Sequence, residues 1–185
     1  MKNIFITQRE ITMSGEKRDF LDKRWVYFIK KCGMLPILIP NNTDILDNYI
    51  SDLSCDGIIL SGGGNIYSLG GYKMRDDIET LLIKYSINSN IPLIGVCRGM
   101  QKIQNYFGVP LEKVEGNVKE KQEIYIHNKI HEVNSFHDYG TFQNNSYFDI
   151  WAIGKDKVIK AIIHKNFKIS GIMWHPERIS PNREF

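Results

Sequence analysis

Short apolar runs alternate with segments of helical pattern along the first half of the chain, and this alternation restricts the possible folds more than any other pattern. The apolar runs predict four strands, Lys2–Thr7, Leu35–Ile39, Gly57–Leu60 and Pro92–Val96. Helical spacing and helix end signals predict four helices, Glu16–Gly33, Thr43–Leu53, Arg75–Ser89 and Arg98–Phe107. Such alternation is typical of a parallel sheet with helices on both faces. We therefore expect an α/β fold, a three-layer sandwich around a central, mostly parallel sheet.

The second half of the chain has a different pattern, in which turn residues rather than helices separate the strands. The predicted strands are Ile124–Ile126, Glu132–Asn134, Asp149–Ile153, Val158–Ile163 and Ile169–Trp174. This pattern indicates antiparallel pieces added to the edge of the sheet. Because 185 residues is the length of one ordinary domain, we expect residues 1–185 to form a single domain.

Charge and hydropathy patterning exclude several function classes. The formal net charge is +3, which is too small an excess to indicate a nucleic-acid-binding protein but is compatible with a small anionic substrate. No stretch approaches the roughly 20 apolar residues that cross a bilayer. The N-terminus lacks the apolar region and cleavage site of a signal peptide, so we expect a cytoplasmic protein.

The cysteine pattern argues against a disulfide framework or a structural metal. Cys32, Cys55 and Cys97 are an odd number, with no CxxC pair and no Cys/His metal spacing. At least one thiol therefore stays free. The question is which of the three has a chemical role.

Cys97 stands where the fourth predicted strand ends and a helix begins, in the sequence Gly95-Val96-Cys97-Arg98-Gly99. This is the pattern of a nucleophile elbow with cysteine in place of serine. The two glycines leave room for a strained turn, and the helix N-terminus favours the thiolate. The amide of Arg98 then points where an oxyanion would form. Alone, the pattern is equally typical of a buried structural cysteine.

A run of three glycines, Gly62 to Gly64, follows the strand Gly57–Leu60. Consecutive glycines expose backbone N–H groups that can reach a developing negative oxygen, and Gly63 and Gly64 are the best candidates. No Gly-Lys-Ser/Thr follows, so the run is not a P-loop. A flexible turn or another kind of phosphate-binding loop is the alternative. Because ligands of open α/β sheets gather at the carboxyl ends of strands, we expect this loop beside Cys97.

The segment Trp174-His175-Pro176-Glu177 follows the last predicted strand. A thiol nucleophile needs a general base and an acidic residue that orients the base. His175 and Glu177 are two residues apart and fit these roles, although such a segment alone also suits a surface turn. An elbow cysteine, a glycine loop and a terminal His-x-Glu in this order favour the catalytic interpretation.

Together these motifs resemble the class I glutamine amidotransferase superfamily, which uses a Cys-His-Glu triad on an α/β sheet. Cys97-Arg98-Gly99-Met100-Gln101 and His175-Pro176-Glu177-Arg178 are similar to its γ-glutamyl hydrolase branch, the peptidase C26 group. The segment from Asn134 to His137 falls where that family carries an N-S-x-H sequence near its substrate.

The resemblance implies a role for each matching residue. Cys97 would be the nucleophile, His175 the base and Glu177 its orienter. The amides of Arg98 and of Gly63 or Gly64 would form the oxyanion hole. Gln101 would hold the glutamyl group, with His137 and Ser135 beside it, although Gln101 also suits a solvated helix position and His137 a structural histidine. The chemistry implied needs no cofactor and no metal, and its substrate is a small γ-glutamyl molecule.

Two further features bear on the substrate. The chain is shorter than the usual branch member and stops eight residues after Glu177, so we expect either a minimal member or a trimmed C-terminus. Its size and the opening Ile6-Thr7-Gln8-Arg9 are most similar to the small hydrolases of bacterial capsule phosphoramidate clusters, which cleave γ-glutamyl-CDP-amidate. Arg9 follows the first strand and is a candidate for a phosphate of such a nucleotide-linked substrate, as is Arg75. Surface charge is the alternative for both, and helix capping is the simpler interpretation of Asp76 with Glu79.

Three functional hypotheses remain. The first is a stand-alone γ-glutamyl hydrolase, favoured because Arg98-Gly99 follows Cys97. The second is a glutaminase subunit that delivers ammonia to a synthetase partner. The third is a non-catalytic protein similar to the DJ-1 group, which is disfavoured because the residue after Cys97 is not histidine and a distal His175-x-Glu177 is present.

Overall fold

The computed structural model describes residues 1–178. Its α-helices are α1 (Lys23–Lys31), α2 (Leu46–Asp52), α3 (Lys73–Ser89) and α4 (Arg98–Tyr106). The strands of the first half are β1 (Lys2–Thr7), β2 (Arg9–Met13), β3 (Glu16–Phe20), β4 (Met34–Ile39), β5 (Gly57–Leu60) and β6 (Leu93–Val96). Those of the second half are β7 (Glu112–Lys113), β8 (Val118–Ile126), β9 (Lys129–Phe136), β10 (Tyr139–Gly140), β11 (Phe148–Gly154), β12 (Ile159–His164) and β13 (Ile169–Ile172). Short 3₁₀ turns cover Thr43–Ile45, Tyr67–Leu69 and Pro176–Arg178.

One nine-stranded sheet organises the chain, in the order β4-β1-β5-β6-β13-β12-β11-β8-β9. The strands from β4 to β13 in this order are parallel, and those from β12 to β9 are antiparallel. The parallel centre with an antiparallel extension confirms the predicted fold class.

The last strand corrects one prediction. Ile169–Trp174 was expected among the antiparallel edge strands, but β13 lies in the middle of the sheet and runs parallel to β6, with Ile172 opposite Val96. Its other edge pairs with β12 in the antiparallel sense. A four-residue strand buried on both faces carries no periodicity that would reveal its neighbours or its direction.

Alternation along β1 shows how the sheet is covered on both faces. Phe5 points to the face packed by α2, α3 and α4, whereas Ile4 and Ile6 point to the other face. There α1 supplies the apolar side chains Trp25 and Ile29. These two hydrophobic cores make the three layers.

The predicted helix Glu16–Gly33 was wrong in its first third. Glu16–Phe20 is instead strand β3, which pairs with β2 around a two-residue turn whose members, Ser14 and Gly15, both have positive φ (52° and 80°). Helix α1 begins only at Lys23, where the Asp22 carboxylate accepts the Arg24 N–H at 3.0 Å. All five residues of β3 are exposed, so the sequence there has no buried face whose period could distinguish a strand from a helix.

The carboxyl ends of four neighbouring parallel strands meet at one edge of the sheet. There β1 ends at Thr7, β5 leads into Ser61, β6 leads into Cys97 and β13 leads towards His175. The fold thus gathers the residues predicted to carry chemistry. Within residues 1–178, no helix has the length and apolar character needed to cross a membrane.

Candidate active site

Cys97 occupies a strained turn between β6 and α4. Its backbone has φ 54° and ψ −106°, a region that a residue with a side chain rarely adopts. Close packing around the turn explains the flanking glycines: a Cβ on Gly99 would lie 2.0 Å from the Leu60 carbonyl oxygen, and one on Gly95 would lie 2.4 Å from the Gly99 backbone. This geometry is that of a nucleophile elbow, which holds the sulfur at the carboxyl edge of the sheet.

His175 and Glu177 form a buried hydrogen-bonded pair just beyond β13. The His175 Nδ1 and Glu177 Oε1 are 2.7 Å apart. The Asn134 side-chain amide fixes the backbone of His175, since it accepts the His175 N–H at 2.7 Å and donates to the His175 carbonyl at 2.8 Å. With Nδ1 engaged, Nε2 is the ring nitrogen left for chemistry.

The Cys97 thiol and the His175 ring lie together. Burial lowers the pKa of His175, but its interactions with Cys97 and Glu177 outweigh burial and raise it to about 9. In this arrangement the Cys97 thiol donates to the Phe136 carbonyl at 3.7 Å. The first residue of the glycine run completes the cluster, because a Cβ on Gly62 would lie 2.5 Å from His175 Cε1 and 3.4 Å from Cys97 Cβ. The structure therefore brings the cysteine, the histidine, the carboxylate and the glycine loop into one contact group.

Two arginines hold the carbonyl groups of the glycine loop. Arg9 Nε donates to the Gly62 carbonyl at 3.1 Å, and Arg75 donates to the carbonyls of Gly63 at 2.7 Å and Ser61 at 2.6 Å. Because a trans peptide is planar, the N–H that follows each carbonyl points away from the arginine. The amides of Gly63 and Gly64 make no backbone hydrogen bond within residues 1–178, so both stay available as donors.

Beneath this loop lies a buried ion network that joins α3 to α4. The Arg98 guanidinium, 1% exposed, pairs with Glu79 and, at 2.6 Å, with Asp76. Glu79 also accepts from Arg75 at 3.0 Å, and Asp76 accepts from Lys102 at 2.6 Å. Helix capping by Asp76 and Glu79 was therefore the wrong interpretation, since both lie inside α3 and neutralise buried cations. The alternative of surface charge is also wrong for Arg75, which is buried. Burial is the larger cause that lowers its pKa to about 10, and the nearby charge of Arg98 is the second.

The residues predicted to bind substrate are buried and bonded within the protein. Gln101 Nε2 donates to the Tyr139 carbonyl at 2.8 Å, which leaves its Oε1 as an acceptor. Ser135 Oγ donates to the Asn117 carbonyl at 2.7 Å. The His137 Nδ1 lies 2.9 Å from the Tyr139 carbonyl, and burial together with Lys160 lowers the pKa of His137 to about 3. A contact of these three with substrate stays a prediction.

Sequence reasoning missed Lys160 and Asn117. The buried Lys160 ammonium lies 2.8 Å from His137 Nε2 and donates to the Asn117 side-chain oxygen. Burial lowers the pKa of Lys160 to about 8. The sequence nevertheless contained a sign of this contact. Lys160 is the one charged residue in the apolar strand Ile159-Lys160-Ala161-Ile162-Ile163, and a buried lysine needs polar partners. Within residues 1–178, no group of three or more His, Cys, Asp or Glu side chains is arranged to hold a metal ion.

Comparison with known proteins is consistent with this geometry. The family model described as glutamine amidotransferase class-I matches residues 22–184. The chain is 34% identical to a protein of Campylobacter jejuni named gamma-glutamyl-CDP-amidate hydrolase, over 95% of this chain and 90% of that protein. It is 32% identical to one subunit of the glutamine-hydrolysing GMP synthase of Methanosphaera stadtmanae, over 76% of this chain and 74% of that one.

A solved structure shows the same fold. The crystal structure of a putative GMP synthase subunit from Thermoplasma acidophilum superposes with a TM-score of 0.74 at 19% identity, covering 96% of this chain and 85% of that chain. The match of the family model over most of the chain, with these relatives, shows that the protein belongs to the class-I glutamine amidotransferase family.

Proposed function

We propose that the protein is a cysteine-dependent hydrolase that cleaves a γ-glutamyl amide bond and releases L-glutamate. The observation that carries the proposal is the contact group of Cys97, His175 and Gly62 at the strained turn, with Glu177 bonded to the histidine. A nucleophile, a base, an orienting carboxylate and free backbone donors are the parts that acyl transfer requires.

In the first half of the reaction the Cys97 sulfur attacks the γ-carbonyl carbon of the substrate, and the thiol proton resides on His175. Glu177, bonded to Nδ1, stabilises the resulting imidazolium. The carbonyl oxygen becomes an oxyanion that accepts hydrogen bonds from the amides of Arg98 and Gly63. The amide of Gly64 is the alternative second donor. Arg98 is the first residue of α4, so its N–H has no acceptor within the helix.

In the second half, the tetrahedral intermediate collapses and the carbon–nitrogen bond breaks. His175 gives its proton to the departing nitrogen, and a γ-glutamyl thioester remains on Cys97. Water, deprotonated by the same histidine, attacks the thioester, which releases glutamate and restores the thiol. Loss of one oxyanion donor in such a site slows turnover by about 10²–10³-fold.

The relative from Campylobacter jejuni supports γ-glutamyl-CDP-amidate as the substrate, because its likeness extends over 95% of this chain. The products would be glutamate and cytidine diphosphoramidate. Gln101, whose Oε1 makes no hydrogen bond within residues 1–178, would accept a hydrogen bond from the α-amino group of the glutamyl moiety. His137 and Ser135 would shape the wall behind it.

A substrate panel tests the proposal. Glutamate release is measured from glutamine, γ-glutamyl-γ-aminobutyrate, a γ-glutamyl peptide and γ-glutamyl-CDP-amidate. We expect release from a conjugate and little from glutamine, lost in Cys97→Ala and retained in Cys32→Ala, which changes an exposed cysteine far from the elbow in sequence. Release that persists in Cys97→Ala would contradict the mechanism.

A second function, a glutaminase subunit that passes ammonia to a synthetase, is favoured by one observation. Several relatives are named as subunits of a glutamine-hydrolysing GMP synthase. In the same panel this function predicts that glutamine is the preferred substrate. It also predicts that glutamine turnover rises when a synthetase partner is added.

A further inference from the structure

A cavity of about 330 Å³ lies beside the glycine loop, outside the contact group of Cys97 and His175. One wall is the β2–β3 hairpin, with Arg9, Glu10 and Phe20. The other is the glycine loop with the approach to α3, including Gly63 and Tyr72. Its volume falls at the lower end of the about 300–1,000 Å³ of pockets that bury small ligands.

The cavity and the proposed reaction centre share a wall. Gly63 lines the cavity, whereas its neighbour Gly62 contacts His175 and Cys97. Consecutive Cα atoms are about 3.8 Å apart, so neighbouring residues of one loop adjoin the cavity and the contact group.

Two arginines line this cavity: Arg75, which pairs with Glu79, and Arg9. The Arg9 Nε is fixed by the Gly62 carbonyl, and its guanidinium lies directly over the Gly63 Cα, where a Cβ would come within 1.8 Å. No carboxylate among residues 1–178 forms a salt bridge with Arg9, unlike Arg75 and Arg98. Burial is the larger cause that lowers the pKa of Arg9, and the like charge of Arg178 is the second. A guanidinium with free terminal nitrogens and a cationic neighbour is suited to bind an anion, and its planar fork matches phosphate.

The remaining lining suits the other parts of a nucleotide. Phe20 and Tyr72 are 40% and 39% exposed, and the Tyr72 hydroxyl is held by the Thr12 N–H at 3.1 Å. The Arg9 guanidinium lies over the Phe20 ring, 5.6 Å from its centroid, and aromatic rings offer faces on which a nucleobase stacks. Glu10 Oε2 is buried and lacks a hydrogen-bond partner within residues 1–178. A carboxylate oxygen accepts from a ribose hydroxyl or from the amino group of cytosine, and it repels phosphate.

We propose that this hairpin cavity binds the leaving group of the substrate as a nucleoside diphosphate, with Arg9 on the phosphates and Phe20, Tyr72 and Glu10 around the nucleoside. The proposal rests on the proposed function for its substrate. In a γ-glutamyl-CDP-amidate the scissile nitrogen is bonded to phosphorus, so a diphosphate must lie next to the reacting carbon. Arg9 stands at that end of the cavity, and the hairpin thereby sets specificity for the leaving group.

Direct binding of CDP, measured by calorimetry on the full chain, tests the cavity apart from catalysis. We expect CDP to bind wild-type protein and the Cys97→Ala variant alike. Arg9→Gln should weaken binding by about 10–100-fold, since charge-assisted hydrogen bonds are lost, and Phe20→Ala should weaken it by several-fold or more. Arg18→Gln is the matched control in the same hairpin, because Arg18 is exposed, pairs with Glu16 and does not line the cavity. It should bind like wild type.

The other results of the binding experiment distinguish failure of the cavity proposal from failure of the proposed function. No CDP binding to folded wild-type protein, or equal binding to Arg9→Gln and wild type, would overturn the proposal even if glutamate is released from a γ-glutamyl conjugate. Inorganic diphosphate binding as tightly as CDP would overturn the nucleoside part. Failure of the proposed function is a separate result: CDP binds, but no γ-glutamyl conjugate is hydrolysed. Circular dichroism of each variant verifies that it is folded before binding is compared.

Discussion

The charge on the His175 ring depends on two neighbours that act together. Burial disfavours the protonated ring, while the interactions with Cys97 and Glu177 favour it strongly enough to raise the pKa to about 9. Because the group is a base whose pKa is raised on folding from 6.5, its protonated form stabilises the folded state. That contribution is complete below about pH 6.5 and is lost as pH rises through about 9.

The pH dependence of stability therefore carries a signature of His175. We expect the free energy of unfolding of wild-type protein to fall between pH 6.5 and 9 more steeply than that of His175→Gln, measured by urea denaturation. Lys160, whose pKa is lowered by burial to about 8, contributes the opposite slope at the upper end of this window. Because Lys160 is present in both proteins, its contribution cancels when the two free energies of unfolding are subtracted. Equal slopes in both proteins would contradict the assigned charge.

Glu177 should act through the histidine and not through the fold alone. Glu177→Gln keeps an oxygen near Nδ1 but removes the negative charge that stabilises the imidazolium, so hydrolysis should fall by about 10²–10⁴-fold. The pH profile of the residual activity should also change, because the pKa of His175 falls. Glu120→Gln, at an exposed position, is the control and should keep full activity. Unchanged activity in Glu177→Gln would exclude the carboxylate as orienter.

At the scale of single residues, local sequence order predicts a tight turn or a pair of neighbouring residues, but it does not predict contacts between residues far apart in the chain. The strained turn at Cys97 was predictable, because such a turn needs glycines at fixed offsets. The segment that contains Asn134 was singled out, but its contact with the His175 backbone was not, and Lys160, which contacts His137, was missed. Both contacts join residues far apart in sequence. No local spacing predicts such a contact.

The elements α3, α4 and the glycine loop are joined by one set of buried charges. Glu79, with no exposed surface, accepts from Arg75 and Arg98 on two helices and from Thr7 Oγ1 at the end of β1 at 3.0 Å. Arg75 connects this network to the glycine loop, because it also donates hydrogen bonds to the Ser61 and Gly63 carbonyls. The network thus fixes the loop whose amides we propose as oxyanion donors.

Removal of the shared carboxylate charge should weaken both the fold and the site. We expect Glu79→Gln to lower the free energy of unfolding by about 3–5 kcal/mol, since it leaves two buried guanidinium groups without full compensation. Asp77→Asn is the matched control on the same helix, because Asp77 pairs with Lys73 at the surface, and no measurable change is expected there. Urea denaturation measures both. A loss in Glu79→Gln no larger than in the control would show that the network contributes little.

The elements that the sequence predicted well are those with a buried face. Strands β1 and β5 have the predicted bounds, and α4 ends one residue early. The β2–β3 hairpin was missed because its residues are exposed or half-exposed and its register depends on the Ser14–Gly15 turn. That hairpin nevertheless forms one wall of the proposed leaving-group cavity.

Over the whole molecule, β13 joins the parallel and antiparallel halves of the sheet, since it pairs with β6 on one side and β12 on the other. The general α/β architecture followed from alternating patterns. The central place of β13 did not, because strand order is set by long-range packing and not by local periodicity.

This continuity predicts that the halves unfold together, as expected for a single domain. In Trp25→Phe, tryptophan fluorescence reports on Trp151 and Trp174, whose ring centroids are 5.7 Å apart beside the second half of the sheet. In a Trp151→Phe/Trp174→Phe variant it reports on Trp25 in α1. We expect each fluorescence transition to coincide with the far-ultraviolet circular dichroism transition of the same variant. Two separate transitions within one variant would show that the halves are independent units.

The proposed mechanism requires a covalent intermediate on Cys97, which can be observed directly. Wild-type protein is mixed with γ-glutamyl-CDP-amidate, quenched in acid within the first turnover, and examined by intact and peptide mass spectrometry. We expect a mass increase of one glutamyl group on the peptide that contains Cys97, and no such increase in Cys97→Ala. Glutamate release in the same samples without any adduct on Cys97, or with the adduct on another residue, would contradict the proposed mechanism.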